Sequence, residues 1–138
     1  MTVPMGQEAP AGLTEAQLAQ LERYAALAQG RSAEDLLATA RQHLTVAIRA
    51  FATNRQVDVG LARVICQRLE SALERWCDLP ETARHWLGGA VLYYAVSNDD
   101  DPDFTDLSGF ADDAAVVAAC LRFARLDELC MGLYDLGS

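Results

Sequence analysis

Apolar residues recur along this chain at helical spacing, interrupted by residues that start or stop helices. Thr14 followed by Gln17 is a capping-box pattern that opens a first helix. Leu18, Leu21, Ala25 and Ala28 follow three or four residues apart, and Gly30 closes the helix. Ser32 caps a second helix, with Glu34 and Asp35 in its first turn, where the dipole favours negative charge. Its predicted buried stripe is Leu37, Ala40, Leu44, Ile48 and Phe51, with His43 at the edge and Asn54 as the stop. Asp58 caps a third helix with an inner face of Leu61, Ile65, Leu69, Ala72 and Trp76. Asp78 and Pro80 signal the start of a fourth. From Trp86 to Val96 that fourth helix is apolar on every side, which marks it as the centre of a bundle. Gly88-Gly89 within it lets a neighbouring helix approach closely. Asp106 or Ser108 opens a fifth helix, predicted to run to about Cys130 along Phe110, Ala114, Val117, Leu121 and Ala124. No segment alternates with period two for long enough to make a strand. The predicted fold class is all-α: a single-domain bundle of about five helices with a central apolar helix, spanning residues 13–138. Residues 1–12, with two prolines, two glycines and no periodicity, read as a flexible N-terminal tail.

Charge narrows the choice of partners. The 138 residues carry a net charge of −9, with no basic patch for nucleic acid. All eleven basic residues are Arg, which excludes Schiff-base chemistry and a phosphate-binding P-loop, since both need a lysine. The longest uncharged apolar run is the eleven residues from Trp86 to Val96, against about 20 for a transmembrane helix. The N-terminus has neither the basic nor the apolar region of a signal peptide. Cys66, Cys77, Cys120 and Cys130 form no C-x-x-C pair, and neither His43 nor His85 lies near them in sequence. They read as buried free thiols in a reducing compartment, hence a cytoplasmic protein, and not as a zinc site. His85 reads as a partly buried, hydrogen-bonded histidine, Trp86, Tyr93 and Tyr94 read as core aromatics first, and no nucleophile–base pattern can be placed.

The densest chemistry lies between the fourth and fifth helices. Seven aspartates fall within the seventeen residues Ser97 to Asp113. The order Asp99-x-x-Pro102-Asp103-Phe104, then Gly109, then Asp112-Asp113-Ala114, resembles the signature of the YkvA-like family, a bacterial domain of unknown function. The resemblance covers about residues 84–120, and Tyr93-Tyr94 stands where the family has an aromatic. Ser97, Asp100, Asp101 and Asp106 depart from it, replacing proline or apolar positions and making an apolar loop polar. Because the family has no established activity, the resemblance implies a fold more than a reaction.

Four matched carboxylates, Asp99, Asp103, Asp112 and Asp113, flank this loop, and two readings of them stand. In the first they are a structural clasp. Asp99 ends the fourth helix through an Asx turn, Asp103 accepts bonds from loop N–H groups, and Asp112 and Asp113 sit in the first turn of the fifth helix. In the second they hold a divalent cation, Mg²⁺ or Ca²⁺, as hard oxygen ligands. Counterions are remote. Arg84 lies about 22 Å before Asp99 and Arg122 about 14 Å after Asp113 along their helices, leaving Arg49 or Arg55 to cross over. An EF-hand fails on Phe104 and Phe110 at the positions that need Gly and Glu. An isoprenoid-synthase motif fails because the chain lacks room for the larger bundle. The leading expectation is a small, non-catalytic helical module, without a cofactor, that binds a protein partner or assembles with itself. The alternative is a divalent-metal-dependent enzyme, hydrolase-like, using the four aspartates as ligands.

Overall fold

The computed structural model describes residues 9–53, 59–96 and 108–130, the side chains of residues 53, 96, 108–112, 127 and 130 excepted. Among these residues the secondary structure is entirely helical: α1 Glu15–Ala28, α2 Ala33–Thr53, α3 Val59–Leu73, α4 Glu81–Val96 and α5 Ser108–Phe123. Short 3-10 turns follow α3 at Trp76–Asp78 and α5 at Asp127–Cys130. α4 packs against α1, α2 and α5, while α3 lies on the far side of α2 and α5. No helix among the described residues is long and apolar enough to cross a membrane.

Each start and stop has a local cause. Thr14 Oγ1 accepts from the Gln17 N–H at 3.0 Å and Gln17 Oε1 accepts from the Thr14 N–H at 3.0 Å, completing the capping box of α1. Gly30 then takes φ +86°, a left-handed conformation that ends the helix. Ser32 Oγ accepts from the Asp35 N–H at 3.1 Å and opens α2. Before α4, the Pro80 carbonyl accepts the first helical bond from Arg84 at 3.0 Å. Residues 9–12 of the expected tail lie against the bundle, with Pro10 buried and Ala9 packed on the core.

The centre of the bundle is α4, where Trp86 through Tyr94 are all buried. Its glycine pair permits the close approach expected of it. A Cβ at Gly89 would lie 2.9 Å from the Ala25 Cβ and 3.0 Å from the Ala25 backbone, and one at Gly88 would lie 3.0 Å from the Ala28 Cβ. The seam between α1 and α4 is therefore backbone against small side chains, and Leu21, Ala25 and Ala28 are the residues of α1 it buries.

Three sequence expectations are corrected. The buried line of α2 is Leu36, Ala40, His43 and Ala47, while Leu37, Leu44 and Phe51 are half-buried and Ile48 is 38% exposed. The helix turns its smaller residues inward, which brings α3 and α4 close, and puts His43 in the core rather than at the edge. Trp76 does not extend the face of α3, because the helix ends at Leu73 and Trp76 opens the 3-10 turn, half-buried. α5 ends at Phe123 rather than near Cys130. Arg125 adopts φ +63°, Leu126 N–H donates to the Leu121 carbonyl at 2.8 Å, and Arg125 N–H donates to that of Arg122 at 3.0 Å. That pair of bonds is a Schellman motif without its usual glycine.

Two ion pairs brace the periphery. Arg41 of α2 pairs with Glu70 of α3, and Arg75 Nη1 after α3 reaches Glu128 Oε2 in the last turn at 2.7 Å. Both are solvent-exposed, where screening and side-chain entropy leave an ion pair little net effect on stability. Cys66 and Cys120 are buried free thiols, as expected, whereas Cys77, also expected to be buried, is free but exposed in the 3-10 turn after α3.

Candidate functional site

Among the described residues, polar groups enter the apolar core around the C-terminal half of α4. Tyr94 is fully buried, and its hydroxyl donates to the Ala62 carbonyl of α3 at 3.1 Å. The His43 ring of α2 meets the Tyr94 ring edge-on, 4.7 Å between centroids at 83°. Asp113 of α5, 1% exposed, and Cys66 of α3, 3% exposed, lie close enough for their charges to act on the Tyr94 hydroxyl. Four helices thus each contribute a polar side chain to one buried set. His43 and Asp113 are the buried polar or charged residues among those described.

Electrostatics fixes the protonation of two of these groups and of the buried Cys120 of α5. Burial first, then the charges of Cys66 and Asp113, push the Tyr94 hydroxyl far above its ordinary value, so it remains a donor. Burial likewise pushes the Cys66 thiol up, helped by Glu70 and opposed by Arg41. Burial alone pushes the Cys120 thiol well above the usual thiol range. Both buried cysteines are held as thiols at neutral pH, which makes them poor nucleophiles. Asp113 Oδ2 is closed off from solvent, and a carboxylate there loses hydration that water would otherwise supply.

Asp99 and Asp103 lie outside the described residues, as do Asp100, Asp101 and Arg55. Asp112 lies on α5, with its side chain outside those described. Asp113 is brought to the Tyr94–His43 set. The expectation that Asp112 and Asp113 occupy the first turn of the fifth helix is corrected. α5 already includes Ser108, so both lie in its second turn, where the dipole acts more weakly. Asp113 therefore faces the bundle instead of capping it. Arg84 is committed elsewhere, donating from Nε to the Trp76 carbonyl at 2.9 Å and from Nη2 to the Cys77 carbonyl at 3.2 Å. Among the described residues no group of three or more His, Cys, Asp or Glu side chains is arranged to hold a metal ion.

Sequence reasoning did not find a second feature, a cleft of about 620 Å³ at the opposite end of α4. It lies between the C-terminal half of α1 and the first turns of α4, with the 3-10 turn between them. Trp76, His85 and Trp86 supply its aromatic surface, and His85 lies edge-on to Trp86 with 4.9 Å between ring centroids. No sequence signal marked it, because Trp76 continues the spacing of the α3 stripe and the helix end at Leu73 appears only in the structure. Comparison with protein-family models, with curated proteins and with solved structures found no match.

Proposed function

We propose that the chain is a small, non-catalytic binding module, YkvA-like in its Asp-rich segment, acting in the cytoplasm on a protein partner or a second copy of itself. The Asp-rich loop ties α4 to α5, and its charge favours a partner surface that is basic. The observation that carries this reading is the burial of Asp113 beside Tyr94. A motif carboxylate that turns into the core, next to a tyrosine bonded across to α3, supports a clasp between helices.

The same buried carboxylate also favours a second reading. A carboxylate sealed from water at the root of an acidic loop suits a divalent-metal-dependent hydrolase, with Asp99, Asp103, Asp112 and Asp113 converging on Mg²⁺ or Ca²⁺.

Thermal melts separate the two. For the clasp, Asp103→Ala and Asp112→Ala each cost about 1.5–3 kcal/mol, as expected when a charge-assisted contact is removed. Asp100→Ala and Asp101→Ala cost about 0.5 kcal/mol or less. EDTA, Mg²⁺ and Ca²⁺ then leave all four values unchanged. For the metal site, the wild-type Tm rises with the cation, and the Asp103 and Asp112 losses disappear in EDTA. Equal, negligible effects at all four positions defeat both readings.

A further inference from the structure

The cleft between α1 and α4 is independent of the Asp-rich loop, and its wall residues have a consistent chemistry. Its volume, about 620 Å³, is within the range of small-molecule sites. Both tryptophans of the chain line it. Trp86 is buried and immobilised in α4, whereas Trp76 is half-buried on the turn. Four charged side chains share the lining: Glu22, Arg31, Glu81 and Arg84.

The two arginines are already engaged. Arg84 is turned to the carbonyls of Trp76 and Cys77, and Arg31 leans toward Asp35 at 3.9 Å. Glu22 and Glu81 are exposed and are committed to no described residue. The backbone carries the same bias. One wall is the C-terminal end of α1, whose last turn has no basic residue to offset its carbonyls. The facing wall is the start of α4, where Glu81 occupies the first turn and offsets the positive helix end. An indole-lined cleft with uncommitted carboxylates and a helix C-terminus at its rim complements positive charge on an apolar body.

We propose that this cleft binds a small organic cation, a quaternary or primary ammonium carried on an alkyl or aryl group. The half-buried indole of Trp76 meets the ligand by stacking and cation–π attraction, the buried Trp86 closes the apolar floor, and Glu22 and Glu81 supply the counter-charge.

Because no other tryptophan exists in the chain, intrinsic fluorescence reports directly on the cleft. The probes are phenethylammonium and tetramethylammonium chloride, titrated at constant ionic strength against the neutral 3,3-dimethylbutan-1-ol and against sodium phosphate. The expected result is a saturable change in tryptophan emission with the two cations and none with the alcohol or phosphate. Glu22→Gln combined with Glu81→Gln should weaken cation binding roughly tenfold, and Trp76→Leu by a similar factor. The two glutamates are exposed, so their variant keeps its helical circular dichroism and remains informative even if Trp76→Leu loosens the turn. Equal response to the neutral alcohol, preference for phosphate, unchanged affinity in the double glutamine variant, or no saturable response to either cation would overturn the proposal.

Discussion

Arg125 holds the turn after α5 in a left-handed conformation, φ +63°, that costs a side-chain-bearing residue about 1 kcal/mol. Its side chain is exposed and makes no hydrogen bond or ion pair with a described residue that would offset this cost. Arg125→Gly removes the strain while keeping both bonds of the Schellman motif. It should raise stability by up to about 0.5 kcal/mol, the greater freedom of glycine in the unfolded chain offsetting much of the relieved strain. Urea denaturation with an unchanged m-value checks this, and a loss of stability would show that the turn depends on the arginine. The same residue explains why the end of α5 was not legible in the sequence. Helix stops are read from glycine, asparagine and proline, and here an arginine takes the glycine's conformation. His43 escaped for a related reason. Residues 36, 37, 40, 44, 47, 48 and 51 of α2 are all apolar, so the pattern left two arcs open. Only the packing of Ala40 and Ala47 against neighbouring helices chose the arc that buries His43.

At the scale of elements, the join between α1 and α4 depends on what is missing from it. Gly89→Ala would improve helix propensity by about 1 kcal/mol in an isolated helix. In the bundle the new methyl meets the Ala25 Cβ at 2.9 Å and its backbone at 3.0 Å, and a backbone cannot rotate away. The net effect should be a destabilisation of about 1–3 kcal/mol, as for other overpacked sites, measured as a fall in the urea midpoint. Gly88→Ala meets a lone Cβ at 3.0 Å and should cost less. A neutral or stabilising Gly89→Ala would mean that α1 is free to shift outward. This seam was legible: two adjacent glycines inside an otherwise apolar helix leave close approach as their physical use. The five helices, the capping box at Thr14 and the central position of α4 were legible for the same reason, since local chemistry and long-range packing agree there. Trp76 was not. Its spacing continues the α3 stripe, and the break after Leu73 comes from Arg84 and the 3-10 turn, which are matters of tertiary contact.

For the molecule as a whole, the buried acids set a pH limit. Tyr94, Cys66 and Cys120 are all held neutral in the fold, with values raised by burial. In the unfolded chain the thiols ionise near pH 8.5 and the phenol near 10. Below about pH 8.5 both states keep these protons, so the stabilisation is fully present. Above it the unfolded chain releases protons first, and stability falls as pH rises toward the folded values. Denaturation midpoints should therefore be flat with respect to these groups from neutral pH to about 8.5 and decline beyond it. Tyr94→Phe combined with Cys66→Ala and Cys120→Ala should flatten that alkaline limb, whatever it does to the absolute stability. A persistent decline in the triple variant would place the cause elsewhere. The sequence located the Asp-rich segment but not which carboxylate faces inward, because the dense charge looked the same at every position. It took the crossing of α2, α4 and α5 to set Asp113 apart.

The glycine–alanine seam also has a consequence for how this chain can vary. In most cores the large side chains are the constrained ones and the small positions drift. Here the order reverses along the seam: Leu21 fills space that methionine or isoleucine could fill, whereas Ala25 lies so close to Gly89 that a Cβ there would fall 2.9 Å from its own. Substitution records from random mutagenesis under selection for folding should show the smallest residues of this seam as its least replaceable.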